Sequence, residues 1–377
     1  MSNPEFSLST RREFFRRTSC LGAAALLGAN ALPRWALGFQ EDAPPGKVVH
    51  KGNGFRVLEL RPHVYMVVTD LAAGTRLVAN GGFVVGGDAV LLIDVYRTLD
   101  GTRAVHEAVR SVTKLPIRGV VLTHFHFDHV GGAALYAGQE IPLIAHPVAR
   151  QRLAQRYGLD WPAQRDTRRA ALEKALSDAP DEEHRRRAQS NLDLFTLADQ
   201  TVGQIALCLP EAIVDLKTLP STLDLGGGVR VQIDALPGHT GGDLIVQLPE
   251  REVVFTGDLL WNRFFPYSAD ATLHEWIHSV RKLAYLEPRT VYAVGHGEPC
   301  GIGGPRRLLR LWSALHDQIR ASYDQSIPLA EARERLSKPE EFQNDLVLAD
   351  EPCFRQLVDL FYSEFAAGHA PEEYRTG

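Results

Sequence analysis

Cysteine is scarce, with four residues in 377 and none in a Cys-x-x-Cys pair. A disulfide-stapled scaffold is thereby excluded. No stretch reaches the roughly 18 apolar residues that a bilayer-spanning helix needs. Basic charge is not in excess either, since 41 Lys and Arg face 46 Asp and Glu for a net charge of -5. Nucleic acid is therefore not an expected partner, because no cationic field would gather it. Nor does any repeat of roughly 20 to 50 residues recur. What remains is a folding composition, 45% hydrophobic and 23% charged, which rules out a disordered or collagenous chain. The length suits one large or two modest domains.

The first 38 residues read as an export leader. Arg11, Arg12, Arg16 and Arg17 precede an apolar stretch from Ser19 to Leu32, with small residues at Ala29, Ala31, Ala36 and Gly38. The run STRREFF, Ser9 to Phe15, matches a twin-arginine signal. The apolar stretch is too short to span a bilayer. Cleavage is expected to leave a periplasmic protein with no stable membrane anchor and a net charge of about -8. Cys208, Cys300 and Cys353 then allow at most one disulfide. A small-molecule substrate is the expected partner, and a homodimer stays open.

Further along, short β-type runs (RVLEL, HVYMVV and GGFVVGGDAVLLID) between Phe55 and Ile93 predict an antiparallel meander with a turn at Gly86-Gly87-Asp88. Residues 102–113 read as helix and IRGVVL, Ile117 to Leu122, as strand. From 147 to about 212 the chain turns rich in Arg, Ala, Gln and Leu, with Leu172, Leu176, Leu192 and Phe195 near helical spacing. This predicts an insertion of two or three helices lying over or beside the site. Strand signals return at 229–236, 244–248, 252–256 and 291–294. Beyond Pro305 the pattern is helical again, Leu308, Trp312, Leu315 and Ile319 sharing a face, and residues 353–365 form a last amphipathic segment. The expectation is an α/β (α+β) chain in three parts: a leader over 1–38, a core domain over 48–302 and a C-terminal helical extension over 303–377.

The IRGVVL strand runs directly into THFHFDHVGG, which places His124, His126, Asp128 and His129 within six residues. Imidazole nitrogen and carboxylate oxygen are donors that zinc accepts at about 2.0 to 2.2 Å, and one loop can aim neighbouring side chains at two adjacent points. Two metals are therefore feasible. His239 after VQIDALPG, Asp258 after EVVFTG and His296 after VYAVG repeat one grammar, a β-type run, a glycine and a ligand. Together the set is seven candidate ligands.

With these residues in view, the chain resembles the metallo-β-lactamase-fold hydrolase superfamily. The likeness runs from Val48 to Gly301 around the insertion, through Asp94 in LLID, THFHFDH, PGHTGGD at 237–243, FTGD and GHG at 295–297. It implies an αββα sandwich with two Zn2+ per chain at one edge. His124, His126 and His239 would hold one ion, Asp128, His129 and His296 the other, and Asp258 would bridge. Asp94 would be the buried residue that orients the ligand loop. The implied reaction is hydrolysis by a metal-bridging hydroxide, with Asp128 as the catalytic residue that orients the nucleophile and passes a proton to the leaving group. A small ester, thioester, lactone or related acyl compound is the implied substrate. True β-lactam-hydrolysing members generally carry Cys or Ser where this chain has Asp258, so β-lactam amide hydrolysis is the lesser alternative. Another is a non-catalytic metal-binding accessory of a periplasmic redox system. The leader, the seven ligands and the run WNRFFPY look most like exported metallohydrolases found with quinoprotein dehydrogenases and sulfur-oxidation systems.

Asn262, Arg263 and Tyr267 follow the bridging residue and are candidate substrate-facing groups, the Arg suiting an anionic moiety. His146 in IAHP is a candidate support near the metal edge. His274-Glu275-Trp276-Ile277-His278 spells a zincin motif but lacks a third ligand at a recognised spacing. Thr272-x-x-Glu275 instead reads as a capping box, with Trp276 and Ile277 in the core.

Overall fold

The structure is a computed structural model that describes residues 46–70, 77–137, 139, 141–205, 208–345 and 353–369. The export leader expected over residues 1–38 lies outside the described residues, as does the end of the C-terminal extension.

The predicted meander forms β1 (Lys47–Gly52), β2 (Phe55–Arg61), β3 (Val64–Thr69), β4 (Gly81–Val85) and β5 (Val90–Ile93), each antiparallel to the next. Helix α1 (Leu99–Val112), capped by the Thr98 hydroxyl, returns the chain to β6 (Ile117–Val121), parallel to β5. A single turn, α2 (Phe127–Val130), and β7 (Leu143–Ala145) follow. The insertion supplies α3 (Pro147–Leu153), a π-helical stretch Ala154–Asp160, α4 (Trp161–Ser177) and α5 (Glu182–Ile205), and β8 (Ala212–Ile213) completes an eight-stranded sheet in sequential order. A second sheet holds β9 (Ser221–Asp224), β10 (Arg230–Ala235), β11 (Leu244–Leu248) and β12 (Val253–Trp261), antiparallel in turn. Helix α6 (Leu273–Ala284) then leads to β13 (Val291–His296), parallel to β12. Helices α7 (Gly303–Asp324), α8 (Leu329–Arg335) and α9 (Cys353–Ala366) end the described chain.

The central strands of the first sheet, β4 and β5, are buried on both faces, which is why they read as unbroken apolar runs, whereas the edge strand β1 is largely exposed. Alternation divides them between two cores. In β5, Leu91 and Ile93 pack with Val231, Ile233, Val246 and Phe255 of the second sheet. Val90 and Leu92 point the other way, towards Val105, Ala108 and Val109 of α1. The outer face of the second sheet is covered by α6 and α7, whose buried Trp276 and Trp312 meet edge to face at 5.2 Å. The layers are therefore α, β, β, α. No described helix is long and apolar enough to cross a membrane.

The topology fixes where the ligands emerge. Strands β5 and β6 are parallel, and β10, β12 and β13 share one direction, so their C-terminal ends meet along one edge of the sandwich. The insertion divides into two parts. Helix α4 has no buried side chain and leans on α5, Trp161 stacking on Phe195 at 5.2 Å. The π-helical stretch instead packs inward through buried Tyr157.

Candidate metal centre

All seven predicted ligands converge at that edge. His124, His126, His239 and Asp258 form one group and Asp128, His129 and His296 another, the ligand atoms of each lying within 4.8 Å of one another. Asp258 faces both groups. Its Oδ2 lies 3.4 Å from His239 Nε2, 3.8 Å from His124 Nε2 and 3.4 Å from His296 Nε2, and its Oδ1 lies 3.1 Å from His129 Nε2. Asp128 Oδ2 is 3.4 Å from His296 Nε2, and its side chain, 20% exposed, marks the open side of an otherwise buried cluster.

The local backbone explains the convergence. Gly132, just after α2, lies so close to α1 that a Cβ there would sit 1.7 Å from Thr102 Oγ1. The sequence placed Asp258 beyond a strand ending at Thr256. Strand β12 instead continues to Trp261, with register breaks on either side of Gly257, whose φ of +50° is the left-handed region. This bulge turns Asp258 into the cluster from within the strand. Asp94 also has a left-handed φ, +59°, a conformation that an Asp tolerates better than most residues and that its three side-chain bonds hold in place.

Hydrogen bonds set the imidazole protons. Asp94 accepts from Thr123 N–H at 2.8 Å, from the Thr123 hydroxyl at 2.9 Å and from His129 Nδ1 at 2.8 Å. The one hydroxyl proton of Thr123 is thus committed, so its oxygen accepts from His124 Nδ1 at 3.0 Å. Asp270 accepts from His126 Nε2 at 2.9 Å. In each ring the proton sits on the outer nitrogen and the lone pair faces the cluster. That inner surface is unsatisfied: His124 Nε2, His129 Nε2, His296 Nε2 and Asp258 Oδ1 are buried without a hydrogen-bond partner, at about 1–3 kcal/mol each if nothing else binds them. His126 Nδ1 faces His239 Nε2 at 2.8 Å, opposing two lone pairs unless a cation or proton lies between. The residues fit bound cations, and the donor set of imidazole and carboxylate is that of zinc or a similar divalent metal.

The charges agree with this fit. Burial, with His129 nearby, drives His124 well below the ordinary histidine value, and burial takes His239 down to about 3, so both stay neutral donors. Burial would raise the Asp258 carboxyl, but His296 and His129 hold it well below the usual range. Burial would likewise lower His129, yet Asp258, Asp94 and Asp128 carry it well above its usual value. The result is an anionic cage lined by neutral and cation-seeking nitrogens.

Several supporting residues have no motif to announce them. Asp270, in the loop before α6, also pairs with Arg156 of the π-helical stretch at 2.7 Å, so the insertion reaches the partner of a ligand. Burial would raise Asp270, but His126 and Arg156 keep it strongly ionised. Trp261 stacks on His296 at 4.2 Å and donates from Nε1 to the Asp258 carbonyl at 2.7 Å. Asn80 donates to the Val294 and Gly297 carbonyls at 3.1 and 2.7 Å, pinning the turn that carries His296.

At the rim, Tyr267 touches the cluster, its ring 5.5 Å from that of His126. Asn262 is occupied in donating to the Glu298 carbonyl at 2.9 Å, and Arg263 is exposed with a left-handed φ of +62°. His146 caps α3, its Nδ1 accepting from Val148 N–H at 3.1 Å. The zincin motif does not assemble, because His278 is exposed while His274 meets Glu364 of α9. Trp276 and Ile277 are buried. The capping box is also absent: Thr272 occupies the N-cap without a side-chain bond, and Glu364 accepts the Leu273 N–H at 3.0 Å instead.

Fold and donor set together define a metal-dependent hydrolase of two stacked sheets with its metal ligands at one edge. The profile of the metallo-beta-lactamase superfamily matches residues 74–296, and the chain belongs to that superfamily. It is 28% identical over 256 residues to an uncharacterised protein of Mycobacterium tuberculosis, covering 64% of this chain and 96% of the relative. It is 28% identical over 229 residues to hydroxyacylglutathione hydrolase GloC of Haemophilus influenzae, covering 59% and 82%. A linear primary-alkylsulfatase of Pseudomonas sp. is 21% identical over 253 residues, covering 64% of this chain but 45% of the relative.

Proposed function

We propose that this hydrolase is a dinuclear zinc enzyme that cleaves a small ester, thioester, lactone or related acyl substrate in the periplasm, in the manner of the exported metallohydrolases associated with quinoprotein dehydrogenases. The observation that carries the reading is Asp258, whose two carboxylate oxygens face nitrogens of both ligand groups, Oδ1 at 3.1 Å from His129 Nε2 and Oδ2 at 3.4 Å from His239 Nε2. Similarity to a hydroxyacylglutathione hydrolase supports an acyl substrate. Zinc bound at such a pair supplies Lewis acidity and makes water nucleophilic near neutral pH. The chain's own residues do the rest. Asp94, Thr123 and Asp270 hold His129, His124 and His126 in the tautomers that present lone pairs inward. Asp128, the half-open carboxylate, is placed to take a proton from the attacking side and release it to the leaving group. Tyr267 walls the pocket beside His126, and Arg263 at the rim offers a cation to an acidic substrate tail.

The test is elemental analysis of the mature protein together with turnover of a lactone, a thioester, a phosphodiester, an alkyl sulfate and nitrocefin. About two zinc per chain with lactone or thioester turnover supports the proposal. Turnover confined to nitrocefin or the alkyl sulfate overturns the acyl assignment, absence of any turnover points to the accessory role, and iron in place of zinc overturns the metal.

A further inference from the structure

We propose that His274, Glu364 and His369 form a second, separate metal site, a mononuclear site for a divalent transition cation. It ties the end of α9 to the start of α6.

The site is assembled by chain geometry. Glu364 lies in the last turns of α9 and is 5% exposed, its Oε1 taken by the Leu273 N–H at 3.0 Å. The other oxygen, Oε2, lies 3.0 Å from His274 Nδ1. Past the helix, Gly368 adopts a φ of +80°, its N–H reaching the Phe365 carbonyl at 3.1 Å while His369 N–H reaches the Glu364 carbonyl at 3.2 Å. This left-handed turn folds the chain back and lays the His369 ring over the same carboxylate, its Nδ1 against Oε2. The His274 and His369 rings stand 4.3 Å apart at 77°.

Two imidazole nitrogens and one carboxylate oxygen therefore converge within 4.8 Å of one another. This donor set is the one that zinc, copper and nickel take, with water filling the remaining positions. His274 and His369 side chains are 37% and 35% exposed, so a cation can enter and keep its waters. None of the three belongs to the seven ligands of the catalytic cluster. The competing account is a hydrogen-bonded triad in which both Nδ1–H groups donate to Oε2 and no metal is held.

Occupancy has a structural consequence. The segment that begins α6 donates from Thr272 N–H to the Gly238 carbonyl at 2.9 Å and places Trp276 5.2 Å from the ring of His239. A cation at Glu364 would brace the same segment from its outer side.

The experiment uses the full chain, first saturated with Zn2+ at the catalytic cluster and freed of excess, then titrated with Zn2+ alone by calorimetry and counted by equilibrium dialysis. One further equivalent is expected in the wild type, with affinity weakened about tenfold or more in His369→Ala and in His274→Ala. His369 lies beyond the last helix and is partly exposed, so its variant is expected to fold, which circular dichroism checks. Glu364→Gln keeps an acceptor for Leu273 while removing the charge, and it should lose the extra equivalent too. Equal stoichiometry and affinity in the wild type and both histidine variants would overturn the proposal and leave the hydrogen-bonded triad. The readout is the difference between wild type and variant, so it stands whether the catalytic cluster holds one zinc or two.

Discussion

Replacing Asp270 with Ala isolates the contribution of a residue that touches a ligand but no substrate. His126 presents Nδ1 to the cluster, 2.8 Å from His239 Nε2, only while its proton stays on Nε2. Asp270 holds that proton at 2.9 Å and is itself held by Arg156 at 2.7 Å. Loss of such an outer partner typically weakens metal binding or activity by about 10- to 100-fold, or roughly 1.4 to 2.7 kcal/mol. The Arg156 side chain is 39% exposed and that of Asp270 25%, so their ion pair adds no more than about 1 kcal/mol of this. Arg156→Ala should therefore lose less than tenfold, and it should lose nothing further in the Asp270→Ala background, since its effect passes through the carboxylate. The assay is competition for zinc with a chelator of known affinity, alongside the melting temperature of the metal-free protein. Zinc affinity within twofold of wild type in Asp270→Ala would refute the argument, as would additive losses in the double variant.

Asp94→Ala removes acceptors from His129 and Thr123 at a site 3% exposed, and it should lower stability by about 3 kcal/mol and lose one metal at chelator concentrations that the wild type withstands. Gly132→Ala forces a Cβ to within 1.7 Å of Thr102 Oγ1; urea denaturation should show about 1–3 kcal/mol of destabilisation. Burial raises the Asp243 carboxyl to about 8 against the hydrogen bonds of Thr240. Between its unfolded value of 3.8 and about 8 the folded state keeps a proton that the unfolded chain has released, so stability of the metal-free protein is full below that window and declines as pH rises through it. Asp243→Asn, which stays neutral and can still accept from Thr240 N–H, should flatten the decline; parallel pH profiles for the two proteins would show that Asp243 is not its source.

Much of the fold was readable because its elements bury whole faces. Strand β5, Val90–Ile93, needs apolar groups on both sides, and that requirement writes itself into four consecutive residues whatever the tertiary arrangement. The ligand loop was readable for a different reason: four donors fall within six residues of one strand end. Where the sequence misled, a tertiary contact had replaced a local one. Thr272 has the spacing of a cap, but Glu364, about ninety residues away, already satisfies the Leu273 N–H at 3.0 Å. A strand end at Thr256 was the natural reading of a Gly-Asp pair, and only the pairing of β12 with β13 shows the strand passing through it.

The same distinction runs through the three histidines of the ligand loop. One ring nitrogen faces inward, while the other needs a partner to hold its proton. For His129 that partner, Asp94, follows β5, the strand directly beside the one that launches the ligand loop, so an LLID run next to a ligand strand carries a usable signal. For His124 it is the preceding residue, Thr123. For His126 it is Asp270, in a loop more than a hundred positions away, steadied by an arginine from an insertion whose helix α4 buries nothing. No periodicity links those two positions, because neither buries an apolar face and the pairing constrains one atom on each. The insertion is thus readable as helices over or beside the site, but its link to a ligand's partner is not. It enters the chemistry through Arg156, and the variants of Asp270 and Arg156 measure that connection directly.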